Sequence, residues 1–213
     1  MPVAKTYLEV NPSSHVLILD GGRTVGGTWA LERLYDGLQT NNLVGMMEYS
    51  DFPMDFETFG VKPGSHVPGI AVHRYLTAYA ERFGIYDKIR FESLVKSAEL
   101  KEDGTWAILY ENRTGEEAVR TIEVLAKKLV VASGTTSQPN MPEIRGSADF
   151  SGHMFHFKEF QDRKKEMEAA HNIAVLGGSK SAADAIYFNA SKGKHVDWII
   201  RGMALASFIV HIY

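Results

Sequence analysis

Short, uninterrupted apolar runs alternate along this chain with longer segments whose apolar residues recur at helical spacing. Val16-Leu17-Ile18-Leu19 and Leu129-Val130-Val131-Ala132 are of the first kind, and each predicts a parallel strand covered on both faces. The first ends in Asp20 and the second just before Gly134. His73 to Phe83 has the helical spacing and Gly84 as its stop, so a helix is expected there. Ala4 to Val10 reads as the last turns of another helix, closed by Asn11-Pro12, because proline disfavours helical geometry in the residue before it. From Phe91 to Val124 the pattern changes to strand-like pieces separated by Asp103-Gly104 and Thr114-Gly115, which are hairpin turn signals and predict an antiparallel meander. The proline-punctuated stretch from Ser137 to Gly146 reads as a crossover. Beyond it, NIAVL from Asn172, GGSKSAADAIYFNA and HVDWIIR predict strand, loop with helix, and strand. This order of elements gives an α/β class with parallel sheets and a small antiparallel insertion.

Composition narrows the function classes. With 213 residues, 45% hydrophobic and 23% charged, the chain can bury one or two globular cores. A formal net charge of −3 without a long basic block gives no footprint for nucleic acid. The cations between Lys158 and Lys165 are interrupted by Glu159 and Asp162, as on a solvated helix face. Cysteine is absent, which excludes disulfides, thiolate metal sites and a Cys-x-x-Cys redox pair. His153 and His156 have no further ligand at metal-binding spacing, so no metal site is expected. Neither a leader-like segment nor an apolar stretch of spanning length stands out, so a cytoplasmic location without a membrane span is expected.

The candidate chemistry lies at the strand ends. Gly177-Gly178-Ser179-Lys180-Ser181-Ala182 stands between an expected strand and helix, the context in which a dinucleotide fingerprint carries weight. Gly177 takes its first position, Ser179 the second and Ala182 the third. The second position is ordinarily glycine so that backbone can approach a pyrophosphate; here a serine hydroxyl could itself donate to phosphate. Arg201 stands where an acid would bind a ribose 2'-hydroxyl, and with Lys180 it favours a 2'-phosphate, hence NADP over NAD. The same spacing applied to Asp20 makes it the ribose-binding acid of an earlier fingerprint. The glycines of that fingerprint would lie about 20 residues upstream, at or before Met1. The reading is therefore two Rossmann-like dinucleotide-binding units, both incomplete.

A family resemblance joins these signals. DGGRTVGGTW from Asp20, LQTNN from Leu38, SDFP from Ser50 and FSGHMFHFKEF from Phe150 resemble segments of the flavin-containing monooxygenases, fungal members in particular. VVASGTTSQPNMP, with Gly134, resembles the family's hinge. The resemblance implies an FAD-binding domain over residues 1–145 and the start of an NADP-binding domain over 146–213, truncated at both ends relative to family members. It also implies reduction of FAD by NADPH, and oxygen transfer from a flavin C4a-peroxide to a small organic substrate with O2 as co-substrate. Heteroatom oxygenation is expected ahead of Baeyer–Villiger chemistry, because Baeyer–Villiger relatives carry tryptophan where this chain has Phe160.

By the same resemblance, Asn41 is the catalytic candidate, with Thr40 beside it. Gly27, Thr28 and Trp29 would line the flavin, Val95 would present backbone to adenine, and Ser181, Ala182, Ala183 and Asp184 would line the start of the NADP helix. Two alternatives stay open at this point. One is an inactive remnant or interaction module that keeps the fold without holding FAD, and the other is an FAD-independent NADP-binding protein.

Overall fold

The computed structural model describes residues 1–115, 119–134, 137–201 and 207–212, with backbone alone at 201 and 207–212. Two compact units divide the chain: Met1–Glu32 with Gln39–Ser133, and Arg33–Leu38 with Gly134–Tyr213.

The first unit opens with helix α1 (Pro2–Val10), whose proline sits at the helix start, where its missing N–H would lack a partner anyway. The helix ends at Asn11, which donates to the Tyr7 carbonyl through its backbone N–H at 2.9 Å and its side-chain amide at 3.1 Å. Strand β1 (Ile18–Leu19) follows, then β2 (Gln39–Leu43), the short helix α2 (Phe56–Phe59), β3 (His66–Pro68), helix α3 (Gly69–Arg82) and β4 (Ile89–Arg90). Strands β5 (Ser93–Leu100), β6 (Trp106–Asn112) and β7 (Arg120–Ala126) complete the unit as the expected antiparallel meander. β1 pairs in parallel with β4, and β2 pairs antiparallel with β3 across an irregular register.

The core of this unit forms around α3. Ala71, Val72 and Tyr75 pack against Met54, Phe59, Val61 and Val67. One turn on, Tyr79 and Ala80 pack against Val25 and Ile85. The Tyr75 hydroxyl, on a side chain with 1% of its surface exposed, accepts from the Tyr49 amide at 2.7 Å and donates to the Phe52 carbonyl at 2.5 Å. A buried phenol satisfied on both sides fixes the 49–52 turn against the helix.

Two expectations need correction. The strand at Val16–Leu19 contains only Ile18 and Leu19, because its ladder partner β4 is two residues long. The run Leu129–Ala132 is not a strand: Val130 and Val131 are 63% and 77% exposed. An apolar run extends into a strand only where a neighbour supplies hydrogen bonds, and no described strand lies alongside this one.

The second unit contains helix α4 (Lys164–Ala169), strand β8 (Asn172–Leu176), helix α5 (Lys180–Ala190), and strands β9 (His195–Arg201) and β10 (Ser207–Ile212). The strand order is β10-β9-β8, with β8 parallel to β9 and β10 antiparallel to β9. β8, α5 and β9 thus form the β-α-β element that the sequence pattern predicts. Phe160, Met167, Ala185 and Phe188 make its core, joined by Tyr35, Phe157 and Val175. Among the described residues, no helix is long and apolar enough to cross a membrane.

Replacing Tyr75 by phenylalanine should lower the free energy of unfolding by roughly 1–3 kcal/mol, since it leaves the half-buried Tyr49 amide without its acceptor and the Phe52 carbonyl without its donor. Urea denaturation followed by tyrosine fluorescence checks this, and a change within error would mean the phenol bridge does not hold the turn.

Candidate functional site

In the second unit, Gly177 leaves β8 with φ of 140°, a conformation that L side chains rarely adopt. Its N–H donates to the Ile199 carbonyl at 3.0 Å, and its carbonyl accepts the Trp198 indole N–H at 2.6 Å. Both neighbours belong to β9, so the turn is pinned to the adjacent strand. A Cβ on Gly178 would lie a tight 3.2 Å from the Ile200 side chain, whereas at Gly177 a Cβ would only touch the Ala182 methyl at 3.5 Å, so there the positive φ is what favours glycine.

α5 begins immediately, with Ser179 at its N-cap and no side-chain cap bond. The Ala182 and Ala183 amides both donate to the Ser179 carbonyl. Among the described residues, the amides of Gly178, Ser179, Lys180 and Ser181 have no carbonyl acceptor. These donors converge at the positive end of the helix dipole and match an anion such as a pyrophosphate.

Around this mouth, Lys180 pairs with the Asp184 carboxylate one turn along, and the same carboxylate oxygen accepts from the Tyr35 hydroxyl at 2.5 Å. Burial, and then the Asp184 carboxylate, pushes the Tyr35 hydroxyl far above its ordinary pKa, so it stays a neutral donor. Ala182 is buried, while Ser179, Ser181 and Ala183 are exposed. Arg201 ends β9 opposite Ser207; its side chain lies outside the described residues. Gly134 is exposed with φ of 82°, and Thr135 and Thr136 of the hinge segment lie outside the described residues.

In the first unit, Asp20 follows β1, and its Oδ1 accepts from the Gly22 amide at 2.8 Å. Its carbonyl accepts from the Ser93 amide at 2.8 Å, and the Gly22 carbonyl accepts from the Glu92 amide at 2.8 Å. The Asp20–Gly22 loop is therefore stitched to the start of β5, the strand that carries Val95. Glu32 closes the other side, accepting from the Arg23 amide and from the Thr24 hydroxyl, each at 2.7 Å. Burial pushes its carboxyl upward, but the Thr24 hydroxyl and the Arg23 and Thr24 amides outweigh this and hold it below the ordinary carboxylate range.

Gly27, Thr28 and Trp29 form a 3-10 turn introduced by Gly26 at φ of 124°, where a Cβ would come within 2.8 Å of the Trp29 backbone. His73 of α3 holds that turn: its Nδ1 lies 3.1 Å from the Val25 carbonyl and 3.2 Å from the Trp29 carbonyl, so this nitrogen carries the hydrogen. The Thr40–Asn41 pair splits. Thr40 is buried, donating to the Asn42 carbonyl at 2.6 Å and accepting from the Val67 amide at 3.0 Å. Asn41 beside it is exposed.

Two residues of the Phe150–Phe160 signature serve the fold in this chain, while Phe150 and Met154 are exposed. His156 accepts the Lys158 amide on Nδ1 at 3.0 Å and so caps the turn Phe157–Glu159, and Phe160 is a core residue with 3% exposure. Sequence reading missed His73, Glu32, Tyr35 and Trp198. Each acts through a partner that spacing does not reveal; only the buried α3 face hinted at His73.

A fold of this kind is that of flavin-dependent monooxygenases. Tmm from Pelagibacter superposes with a TM-score of 0.74 at 23% identity, over 93% of this chain and 47% of that one. Cyclohexanone monooxygenase from Rhodococcus, solved with NADP+, gives a TM-score of 0.70 at 22% identity over 98% and 38%. The family model for L-lysine 6-monooxygenase/L-ornithine 5-monooxygenase matches residues 53–208, and the chain belongs to this family of flavin monooxygenases. An FAD-dependent monooxygenase of Pyrenophora dematioidea is 39% identical over 94% of this chain and 37% of its own length. One of Aspergillus sclerotiorum is 36% identical over 93% and 34%. The chain thus spans about a third of the length of these relatives.

The Glu32 carboxylate has a pH signature. Its folded pKa lies below the unfolded one, so its contribution is present above the ordinary value of 4.5 and is lost as pH falls through the folded value. Glu32→Gln should lower the melting temperature at pH 7 and narrow the gap to the unmodified chain below that value. Melting curves across pH check this, and parallel curves would refute it.

Proposed function

We propose that this chain carries the nucleotide-binding units of an FAD- and NADPH-dependent monooxygenase acting on a small organic substrate with O2. The observation that carries the reading is the β8–α5 mouth, with four unclaimed amides behind a glycine turn pinned by Trp198. The donor set fits a pyridine dinucleotide: the Gly177 turn admits the pyrophosphate, the Ser179 and Lys180–Ser181 amides bind it, and Ala182 and Ala183 keep the helix close. Arg201 would take the 2'-phosphate and favour NADP over NAD.

The first unit fits the flavin nucleotide less completely but consistently. Among the described residues Asp20 has hydrogen-bonded only one carboxylate oxygen, to Gly22, so the other can accept from a ribose hydroxyl. Gly27, Thr28 and Trp29 would face the flavin from the turn that His73 holds, and Val95 would offer backbone to the adenine. Thr40 sets the backbone of its turn through Val67, and exposed Asn41 is the residue free to hydrogen-bond at the reacting ring. Gly134 would serve as the hinge. When bound, flavin reduced by NADPH supplies the electrons that activate dioxygen. The two units would then be Rossmann-like, with the flavin nucleotide held within residues 1–145 and NADP within 146–213.

Heteroatom oxygenation is favoured over Baeyer–Villiger chemistry. The Phe160 slot supports this, since it is filled by a phenyl ring enclosed by Tyr35, Phe157 and Phe188 rather than by the tryptophan of Baeyer–Villiger relatives.

Titration calorimetry of the purified chain tests the reading. NADP+ should bind, NAD+ should bind at least about tenfold more weakly for want of the 2'-phosphate contact, and Gly177→Val should abolish both. Absence of heat with either nucleotide would overturn it. Incubation with FAD should in addition leave a yellow chain that NADPH bleaches under nitrogen, the result that an inactive remnant would not give.

A further inference from the structure

The Asp184 carboxylate presents a problem for the proposed NADP mouth. It lies on the first turns of α5, on the same face as Lys180, where a bound pyrophosphate would meet a charge of its own sign. Lys180 contacts that carboxylate and offsets part of its charge, which leaves less of the cation for the ligand. The structure supplies a third group. Tyr35 donates its hydroxyl to the same Asp184 oxygen that Lys180 contacts. The phenol takes up part of the carboxylate's accepting capacity, and an ammonium has three N–H donors, so Lys180 is oriented by one of them and keeps the others for an anion.

Tyr35 is itself firmly set. Its ring meets Phe157 edge-on at 5.3 Å and 86°, and Phe160 at 5.0 Å and 63°. Its carbonyl accepts the Leu38 amide at 3.1 Å, and the following residue, Asp36, pairs with Lys164 at 3.0 Å. The whole segment Arg33–Leu38 is counted with the second unit although the residues on either side of it are not.

We propose that Tyr35 is a positioning residue of the dinucleotide mouth: by sharing Asp184 it keeps the Lys180 ammonium directed at the pyrophosphate, and it couples nucleotide occupancy to the order of segment 33–38. The proposal rests on the NADP reading above. Because the pyrophosphate is common to both nucleotides, Tyr35 affects NADP+ and NAD+ alike, in contrast to Arg201. Coupling is reciprocal, so bound nucleotide must stabilise the segment that Tyr35 anchors.

The test uses the full chain and compares it with Tyr35→Phe, Asp184→Asn and the double variant, by titration calorimetry with NADP+ and NAD+ and by amide hydrogen exchange. Tyr35→Phe keeps the ring packing, so it should fold. It should weaken NADP+ and NAD+ in the same proportion, about fivefold. That loss should vanish in the Asp184→Asn background, where there is no carboxylate to share. NADP+ should slow exchange at the Leu38 amide in the unmodified chain and not in Tyr35→Phe. Unaltered affinity in Tyr35→Phe, or an equal loss with and without Asp184, would make the tyrosine a packing residue and overturn the proposal while leaving the NADP reading intact. An unmodified chain that binds neither nucleotide would overturn both.

Discussion

The arrangement of the second unit depends on a single carbonyl. Gly177 can leave β8 at φ of 140° because it lacks a Cβ, and its oxygen is then fixed by the Trp198 indole on the neighbouring strand. With both ends of that turn tied to β9, α5 must start at once, and its first amides must face outward together. No charged side chain is needed to create the anion-binding potential; backbone direction provides it, and a small residue at Ala182 lets the helix sit close enough to keep it.

The first unit uses the opposite strategy. Its loop donors and acceptors are satisfied internally: Asp20 takes the Gly22 amide, Glu32 takes the Arg23 amide and the Thr24 hydroxyl, and His73 Nδ1 donates to two carbonyls at once. The result is a rigid wall rather than an open mouth. Loops satisfied in this way present a preset surface, whereas unclaimed amides remain available to an outside acceptor. Thr40 and Asn41 show the same division within two residues, one committed to the fold and its neighbour left available.

Much of this was legible in the residues. The meander could be read because Asp103-Gly104 and Thr114-Gly115 force turns by local chemistry, and the β-α-β element because NIAVL-GG and the following helix signal agree with one another. The run at Val16–Leu19 forms the expected parallel strand over only two residues and the run at Leu129–Ala132 forms none, for one reason: apolar content records the wish to be buried, whereas a strand also needs a partner of matching length. The pairs that govern the mouth of the second unit were not legible at all. Tyr35 and Asp184 are separated by 149 positions, and Trp198 and Gly177 by 21, with no periodicity to relate them. Family resemblance pointed to these segments, and only the folded geometry separated residues engaged in the fold from residues left exposed.

The excursion of Arg33–Leu38 into the second unit makes the two units inseparable as stretches of chain. The polypeptide crosses between them after Glu32, after Leu38 and after Ser133. A piece beginning at Gly134 would inherit the glycine turn and the helix yet leave the Phe160 ring without the tyrosine edge that covers it. This helix mouth is therefore not a portable cassette: moving it into another protein requires six residues from elsewhere in the gene to travel with it.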